Sequence, residues 1–139
     1  MLQKLFLSNT PVDLYRFVGD EEPQGRMILH PVLEHTQLKD GRMRYPDVVR
    51  EKVGDTWIIF PKFRKGVSLF DGPAKFTRPG RQYRIPRGTQ LPPGLSVSED
   101  KLNEGFGYMH YSIMPRIVMA EMHFLFLLRS FAANAIPVT

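Results

Sequence analysis

GYMHYSIMP, residues 107–115, places a histidine inside a short run of aromatic and β-branched residues that a proline closes. Side chains alternate between the two faces of a strand, so Tyr108, His110 and Ser112 share one face and the residues between them share the other. The stretch therefore predicts a strand with a polar face and an apolar back. His110 on such a strand either binds a ligand or is a core histidine bonded to a neighbouring carbonyl, and this stretch alone leaves both open.

Upstream, DLYRFV at Asp13–Val18 predicts the first strand, with Leu14, Arg16 and Val18 on one face. An arginine among apolar neighbours is costly to bury unless an acceptor or an anion pairs with it. Arg16 is therefore a candidate phosphate ligand. The alternative is an arginine at a strand edge whose head group simply reaches water.

GVSLFDG, at Gly66–Gly72, predicts a glycine-bounded strand with Ser68 and Phe70 on one face and Asp71 on the other. A hydroxyl that hydrogen-bonds and a ring that stacks suit a flat heteroaromatic ligand. The same pair also occurs in ordinary sheets. A hydrolase triad of Ser68, His110 and Asp71 is disfavoured, because no GxSxG turn surrounds the serine.

Further strands and loops follow from β-propensity and turn residues. Strands are predicted at Asp55–Pro61 and around Gln82–Ile85, and a basic turn at Lys62–Lys65. A polar loop is predicted at Asp20–Arg26, and a loop or ragged helix at Glu34–Arg44.

Helices are predicted in three places. The apolar run Ile117–Leu128 predicts a C-terminal helix with Pro115 just before or at its first turn. A short helix through VVREKV, residues 48–53, is predicted with Pro46 or Asp47 near its start, and a single helical turn at Ser98–Asn103 with its first serine as the cap.

Composition favours one domain built of short strands and excludes several chemistries. The 139 residues include 12 prolines, 11 glycines and no cysteine, so many turns are expected and thiolate metal sites, disulfides and cysteine nucleophiles are impossible. Four scattered histidines predict no metal site. Nucleotide triphosphatase, Rossmann, zinc protease and CxxC redox motifs are absent.

The chain carries a formal net charge of +5, which suits a nucleic acid, a phosphorylated small molecule or an acidic protein, or is simply a solvated surface. The N-terminus does not predict a signal peptide, and the apolar C-terminal run is too short and too polar to predict a membrane span. The positive side chains concentrate in the middle of the sequence, at Arg42, Arg44, Arg50, Lys52, Lys62, Arg64, Lys65, Lys75, Arg78, Arg81, Arg84 and Arg87.

Seven short stretches, in order along nearly the whole chain, resemble a family of type VI secretion effector toxins that have an ADP-ribosyltransferase-like fold and depend on NAD. The stretches are LYRFV at Leu14–Val18, LHP at Leu29–Pro31, PDVV at Pro46–Val49, GVSLFD at Gly66–Asp71, IPRGTQLPPGLSV at Ile85–Val97, HYSIMP at His110–Pro115 and NAI at Asn134–Ile136.

The resemblance implies a single α+β domain over residues 1–139, in which two packed, mainly antiparallel sheets form an NAD cleft and a helix ends the chain. It implies transfer of ADP-ribose from NAD to a macromolecule in the intoxicated cell. Arg16 matches the first-strand arginine that supports a phosphate or ribose of NAD, Ser68 the serine of the nicotinamide pocket, and His110 a histidine of the active site. Ser68 and His110 are then the catalytic candidates, and Phe70 joins them as a cofactor ligand.

The sequence departs from the family pattern in the motif of the second strand and in the carboxylate expected at the active site. Val67 stands where the family has threonine. The oxocarbenium-like ribose of the transfer reaction is stabilised by a nearby carboxylate, and the superfamily's usual glutamate motif is missing, which leaves Asp71 and Glu121 as candidates.

These departures keep other activities open. The missing acid leaves open NAD glycohydrolysis, a histidine-based transfer or a bound NAD that is never turned over. The alternative from another class is a noncatalytic basic module that binds RNA or an acidic protein through Arg16 and the arginines between Lys62 and Arg87. The resemblance also implies a small immunity protein that covers the toxin, a producer cytoplasm as the starting compartment, and delivery by a secretion apparatus into the target-cell cytoplasm.

Overall fold

The computed structural model describes residues 4–19, 28–38, 40–73 and 79–138. Short strands dominate these ranges, as the proline and glycine content predicts, and a single helix lies near the C-terminus of the described chain. In chain order the elements are β1 (Lys4–Phe6), β2 (Leu14–Gly19), β3 (Thr36–Gln37), β4 (Met43–Arg44), β5 (Val49–Val53), β6 (Thr56–Phe60), β7 (Val67–Phe70), β8 (Gly80–Ile85), β9 (Leu95–Asn103), β10 (Tyr108–Pro115), β11 (Met119–Ala120), α1 (Glu121–Ala132) and β12 (Ile136–Val138).

The largest sheet has seven strands in the order β1-β9-β10-β7-β2-β8-β12, and each neighbouring pair is antiparallel. A three-stranded sheet, β11-β6-β5, and the hairpin β3-β4 complete the described strands. β10, predicted from GYMHYSIMP, lies inside the large sheet between β9 and β7. The α+β class, with mainly antiparallel sheets and a C-terminal helix, is confirmed.

One face of the large sheet packs into the hydrophobic core. Val67 and Leu69 of β7 and Ile113 of β10 have no solvent exposure and belong to the same cluster as Phe124 and Phe131 of α1. Because strand side chains alternate, this core face leaves Ser68, Phe70, His110 and Ser112 on the opposite face of the same strands, as the sequence predicts.

The predicted C-terminal helix starts too early. Pro115 is the last residue of β10, and Met119 and Ala120 pair with β6 before the helix begins. α1 runs from Glu121 to Ala132, with Ala120 still extended and Glu121 in the first turn, where an acidic side chain suits the helix dipole. The segment after Pro115 instead pairs as a strand, which places the helix start at Glu121.

The short helix predicted over Val48–Val53 is also wrong. Val49–Val53 forms β5, which pairs with β6 through a two-residue turn at Gly54 and Asp55. Gly54 adopts a φ of +61°, which glycine tolerates without steric cost. The tight turn and the β-branched residues at both ends of β5 outweigh the helix start signal.

Two other segments are strands where helix or loop was predicted. Ser98–Asn103 is the last part of the nine-residue β9, not a helical turn, because it pairs with β10 on both sides of Asp100. Glu34–Arg44 contains the hairpin β3-β4. The predicted polar loop at Asp20–Arg26 lies outside the described residues, whereas the strands at β6, β7 and β8 and the turn at Lys62–Lys65 are confirmed.

Gly66 allows β7 to approach β10 closely, which generates a prediction about stability. A Cβ atom at Gly66 would collide with the carbonyl oxygen of Ile113, so Gly66→Ala should lower the free energy of unfolding by about 1–3 kcal/mol. Gly105→Ala is the matched control, since its nearest atom is the side-chain Oδ1 of Asn103 at 3.3 Å, and it should change stability by about 0.5 kcal/mol or less. Urea unfolding measures both; equal stabilities would contradict the close approach.

Candidate active site

A row of three serines crosses the centre of the large sheet on the face opposite the core. Ser112 of β10 lies between Ser68 of β7 and Ser98 of β9 in the strand register. Ser98 and Ser112 are fully buried, so their hydroxyl groups need hydrogen-bond partners within the protein. The acceptor for both is one carboxylate, that of Asp100.

His110 connects this carboxylate to Ser68. Its Nδ1 lies 2.7 Å from Oδ2 of Asp100, and its Nε2 lies 2.9 Å from Oγ of Ser68. Phe70, directly opposite His110 in the register, packs edge-on against the imidazole with 5.3 Å between ring centroids. The structure therefore brings Ser68, Phe70 and His110 together as predicted, and adds Asp100.

Asp100 is an ionised carboxylate in a protected position. Its side chain is 5% exposed, and its two oxygens accept hydrogen bonds of 2.6 Å each from Ser98 and Ser112 besides the contact with His110. Burial by itself raises the pKa of Asp100, but the hydrogen bonds from His110, Ser112 and Ser98 outweigh burial and lower that pKa from its ordinary value.

The Asp100 carboxylate sets the tautomer of the neutral His110 ring. An ionised carboxylate only accepts hydrogen bonds, so Nδ1 of His110 carries the proton that it shares with Asp100. In the neutral imidazole, Nε2 is then an acceptor aimed at the hydroxyl of Ser68. The arrangement can take a proton from a hydroxyl at this position, which is the geometry of a general base with its orienting acid.

A β-bulge marks the position of Asp100. The register of β9 and β10 shifts between His110 and Tyr111: Lys101 lies opposite His110 and Glu99 lies opposite Tyr111, which leaves Asp100 as the extra residue. Bulges re-aim side chains near active sites. Here the extra residue carries the carboxylate that orients His110.

Arg16 contacts the same site from behind Ser68. Leu14 and Val18 are buried, so the predicted face of β2 is confirmed, and Nη1 of the half-buried Arg16 donates a 3.0 Å hydrogen bond to the backbone carbonyl of Ser68. This bond ties β2 to the β7 residue that faces His110. The role of Arg16 as a phosphate or ribose ligand stays a prediction.

Asp71 and Glu121, the two predicted carboxylates, have structural partners elsewhere. Asp71 accepts a 2.9 Å hydrogen bond from the backbone N–H of Met109, and Glu121 forms a 2.6 Å ion pair with Arg50. Sequence reasoning missed Asp100 because it assigned this segment to a helical turn. The alternation of Ser98 and Asp100, read as a strand, is the signal that places both on the face of His110.

Part of the basic middle of the chain is neutralised within the protein. Lys75 and Arg78 lie outside the described residues. Where the chain is described, no group of three potential metal-ligating side chains occurs, and no helix is long and apolar enough to cross a membrane. The paired cations are Arg42 with Asp40, Arg44 with Asp47, Arg50 with Glu34 and Glu121, Arg64 with Asp100, and Arg84 with Asp13.

Comparison with known proteins identifies the reaction class. The model of a family described as Tse2 ADP-ribosyltransferase toxin matches residues 2–137. The chain belongs to this family. Toxin Tse2 of Pseudomonas aeruginosa is a relative, 31% identical over 141 residues, in an alignment that covers 98% of this chain and 87% of the relative.

Membership in the Tse2 family confirms three expectations from the sequence: the toxin family, the ADP-ribosyltransferase-like fold and the enzyme class. The chain is an ADP-ribosylating toxin domain of the Tse2 family, and the family implies NAD as its substrate. Ser68, Phe70, His110 and Asp100 are the described side chains whose contacts form the candidate active site of this Tse2-type domain.

The orientation of His110 by Asp100 gives a test of activity. Asp100→Asn removes the negative charge that fixes the Nδ1–H tautomer, so the turnover rate should fall about 100-fold or more, while Asp71→Asn keeps an oxygen for the Met109 N–H and should stay within about twofold. Release of nicotinamide from NAD measures both variants. Equal losses in the two variants would show that Asp100 has no special role.

The lowered pKa of Asp100 also predicts how stability depends on pH. Because the folded-state pKa lies below the unfolded value of 3.8, the stabilisation is complete above that value and disappears as pH falls through the folded pKa. Asp100→Asn should therefore be less stable than the unsubstituted protein at pH 7, and the difference should shrink below pH 3.8. Urea unfolding from pH 7 to about pH 3 tests this; a pH-independent difference would contradict it.

Proposed function

We propose that the chain transfers ADP-ribose from NAD to a macromolecule of the intoxicated cell, at the site formed by Ser68, Phe70, His110 and Asp100. The observation that carries this proposal is the hydrogen-bonded line from Asp100 through His110 to Ser68, beside the ring of Phe70. A polar relay next to an aromatic ring suits the nicotinamide riboside end of NAD, which combines a flat ring with ribose hydroxyls.

In the proposed reaction, the bond between C1′ of the ribose and the nicotinamide nitrogen breaks, and its electron pair leaves with neutral nicotinamide. Positive charge develops on the ribose ring as this bond lengthens. A lone pair of the acceptor forms the new bond to C1′, the acceptor's proton passes to Oγ of Ser68, and the serine hydroxyl proton passes to Nε2 of His110. Asp100 stabilises the imidazolium that results, since its carboxylate already accepts the Nδ1–H.

The described residues support separate roles for the carboxylate and the ribose ligands. Asp100 is 5% exposed and lies behind His110 and two serines, so its charge acts on the ribose through His110 and not by contact. Ser68 and the edge of His110 are the polar groups at the surface of the relay. Ser68 therefore hydrogen-bonds the substrate, and Phe70 packs on the nicotinamide. Arg16 holds Ser68 in position by donating a hydrogen bond to the backbone carbonyl of Ser68.

Family membership supports a biological setting for this reaction. We propose delivery by a type VI secretion apparatus into the target-cell cytoplasm, and a small immunity protein that neutralises the toxin by covering its surface at the mouth of the site. The chain's net charge of +5 favours an acidic immunity protein and an anionic acceptor.

Labelled NAD incubated with the purified protein and a cell lysate tests the proposed activity. We expect label on a macromolecule with the unsubstituted protein and a loss of about 100-fold or more with Ser68→Ala or His110→Ala, because each removes one end of the relay. Ser130→Ala and His123→Ala change the same residue types at exposed positions of α1 and should label normally.

The products separate this proposal from its alternatives. Free nicotinamide without labelled macromolecule would assign NAD glycohydrolysis. Intact NAD, together with RNA binding that weakens steeply with salt, would overturn the transferase activity in favour of a basic binding module. Thermal unfolding of both site variants is the control for a structural role of His110, since a lower melting temperature would account for lost labelling without chemistry.

A further inference from the structure

We infer that Arg64, in the turn before β7, binds the diphosphate of the dinucleotide; this inference rests on the proposed function for the identity of the ligand. Arg64 lies beside Asp100, the buried end of the line formed by Asp100, His110 and Ser68, while its own side chain is partly exposed. Its Nε is 3.9 Å from Oδ1 of Asp100.

The backbone of Arg64 is strained. Its φ is +67°, and it is the only residue other than glycine with positive φ in the part of the chain that the structure describes. L-residues with a Cβ pay a steric penalty in this region that glycine does not. The turn is closed by a 2.9 Å hydrogen bond from Lys65 N to the carbonyl of Lys62. Non-glycine residues held in such conformations cluster at ligand clamps and active sites.

The guanidinium group is held loosely. The distance of 3.9 Å to Asp100 is an ion-pair contact but too long for a hydrogen bond, and the guanidinium carbon lies 5.4 Å from the centroid of the Phe63 ring. Both oxygens of Asp100 already accept short hydrogen bonds from Ser98, Ser112 and His110. Among the described residues no hydrogen bond holds the head group of Arg64, and its side chain is 47% exposed, so its donors are available to a ligand.

The chemistry of the turn selects an anion with several oxygens. A guanidinium presents a planar set of N–H donors that matches phosphate oxygens in pairs. Lys62 and Lys65 are exposed in the same turn and raise the local positive potential. If Ser68 and Phe70 hold the nicotinamide riboside, its 5′ phosphate continues from the ribose, and Arg64 is the cation in contact with the same hydrogen-bonded group.

Ligands that differ only in their phosphates test the assignment. Calorimetry should show that Arg64→Gln weakens NAD and inorganic pyrophosphate about 10- to 100-fold, because charged hydrogen bonds are lost, and leaves nicotinamide riboside within about twofold, because that ligand has no phosphate. Lys65→Gln makes the same charge change in the same turn and is the matched control; it should weaken NAD by less than about threefold.

Arg64→Gly separates ligand binding from folding. Glycine relieves the strain at positive φ, so this variant should keep or raise the melting temperature while it loses affinity for NAD as Arg64→Gln does. A fall in both affinity and melting temperature for Arg64→Gly would overturn the inference, because the arginine would then be needed for the structure of the turn.

The remaining outcomes are also decisive. Equal losses for NAD and nicotinamide riboside, or equal losses in Arg64→Gln and Lys65→Gln, would overturn a diphosphate site at Arg64. If Arg64→Gln lowers the affinity for single-stranded RNA but not for NAD, the anion that Arg64 binds is a nucleic acid phosphate and the inference is overturned. If the protein binds pyrophosphate through Arg64 but neither binds nor consumes NAD, the anion site stands and the proposed function is rejected. If substitution of Arg64 leaves NAD consumption unchanged, the proposed function stands and the anion site at Arg64 is rejected.

Discussion

The buried carboxylate of Asp100 is the constraint on which the polar half of this structure depends. A carboxylate without partners inside a protein costs several kcal/mol, and here Ser98, Ser112 and His110 supply the hydrogen bonds that offset this cost. Those partners must come from two adjacent strands at fixed register. Satisfying this one charge therefore depends on the pairing of β9 with β10, on the position of the bulge and on the orientation of the imidazole.

The same strands serve two different environments. On one face, Val67, Leu69 and Ile113 belong to the same apolar core as the helix residues Phe124 and Phe131, and on the other face Ser68 and His110 form the polar site. A shift of one residue in any of these strands would exchange the two faces, placing serines in the core and apolar side chains in the site. The core thus holds the site in register, and α1 packs into that core through Phe124 and Phe131.

The sequence predicts β7 and β10 well because both alternate strictly and are bounded by glycine or proline. Alternation alone therefore places Ser68 and Phe70 on one face of β7, and His110 on the same face of β10 as Ser112, before any strand pairing is known. It does not predict which strands are neighbours, so the contact of His110 with Ser68 comes only from the structure. Asp100 was missed because SEDKLN has the polar composition of a helix start, and only its pairing with β10 makes it a strand. Asp71 was a natural candidate because it follows Phe70 directly, yet alternation turns it to the backbone of Met109.

The two halves of the hydrogen-bonded relay differ in how they come together. Asp100 and His110 belong to one hairpin and are separated by ten positions, whereas Ser68 is 42 positions from His110. Contacts between distant positions form more slowly during folding, because a longer loop must be closed first. A chain that has formed the β9-β10 hairpin but not the β7-β10 pairing has a histidine oriented by Asp100 that lacks its hydrogen bond to Ser68. Catalytic competence therefore requires the long-range β7-β10 pairing as well as the local β9-β10 hairpin.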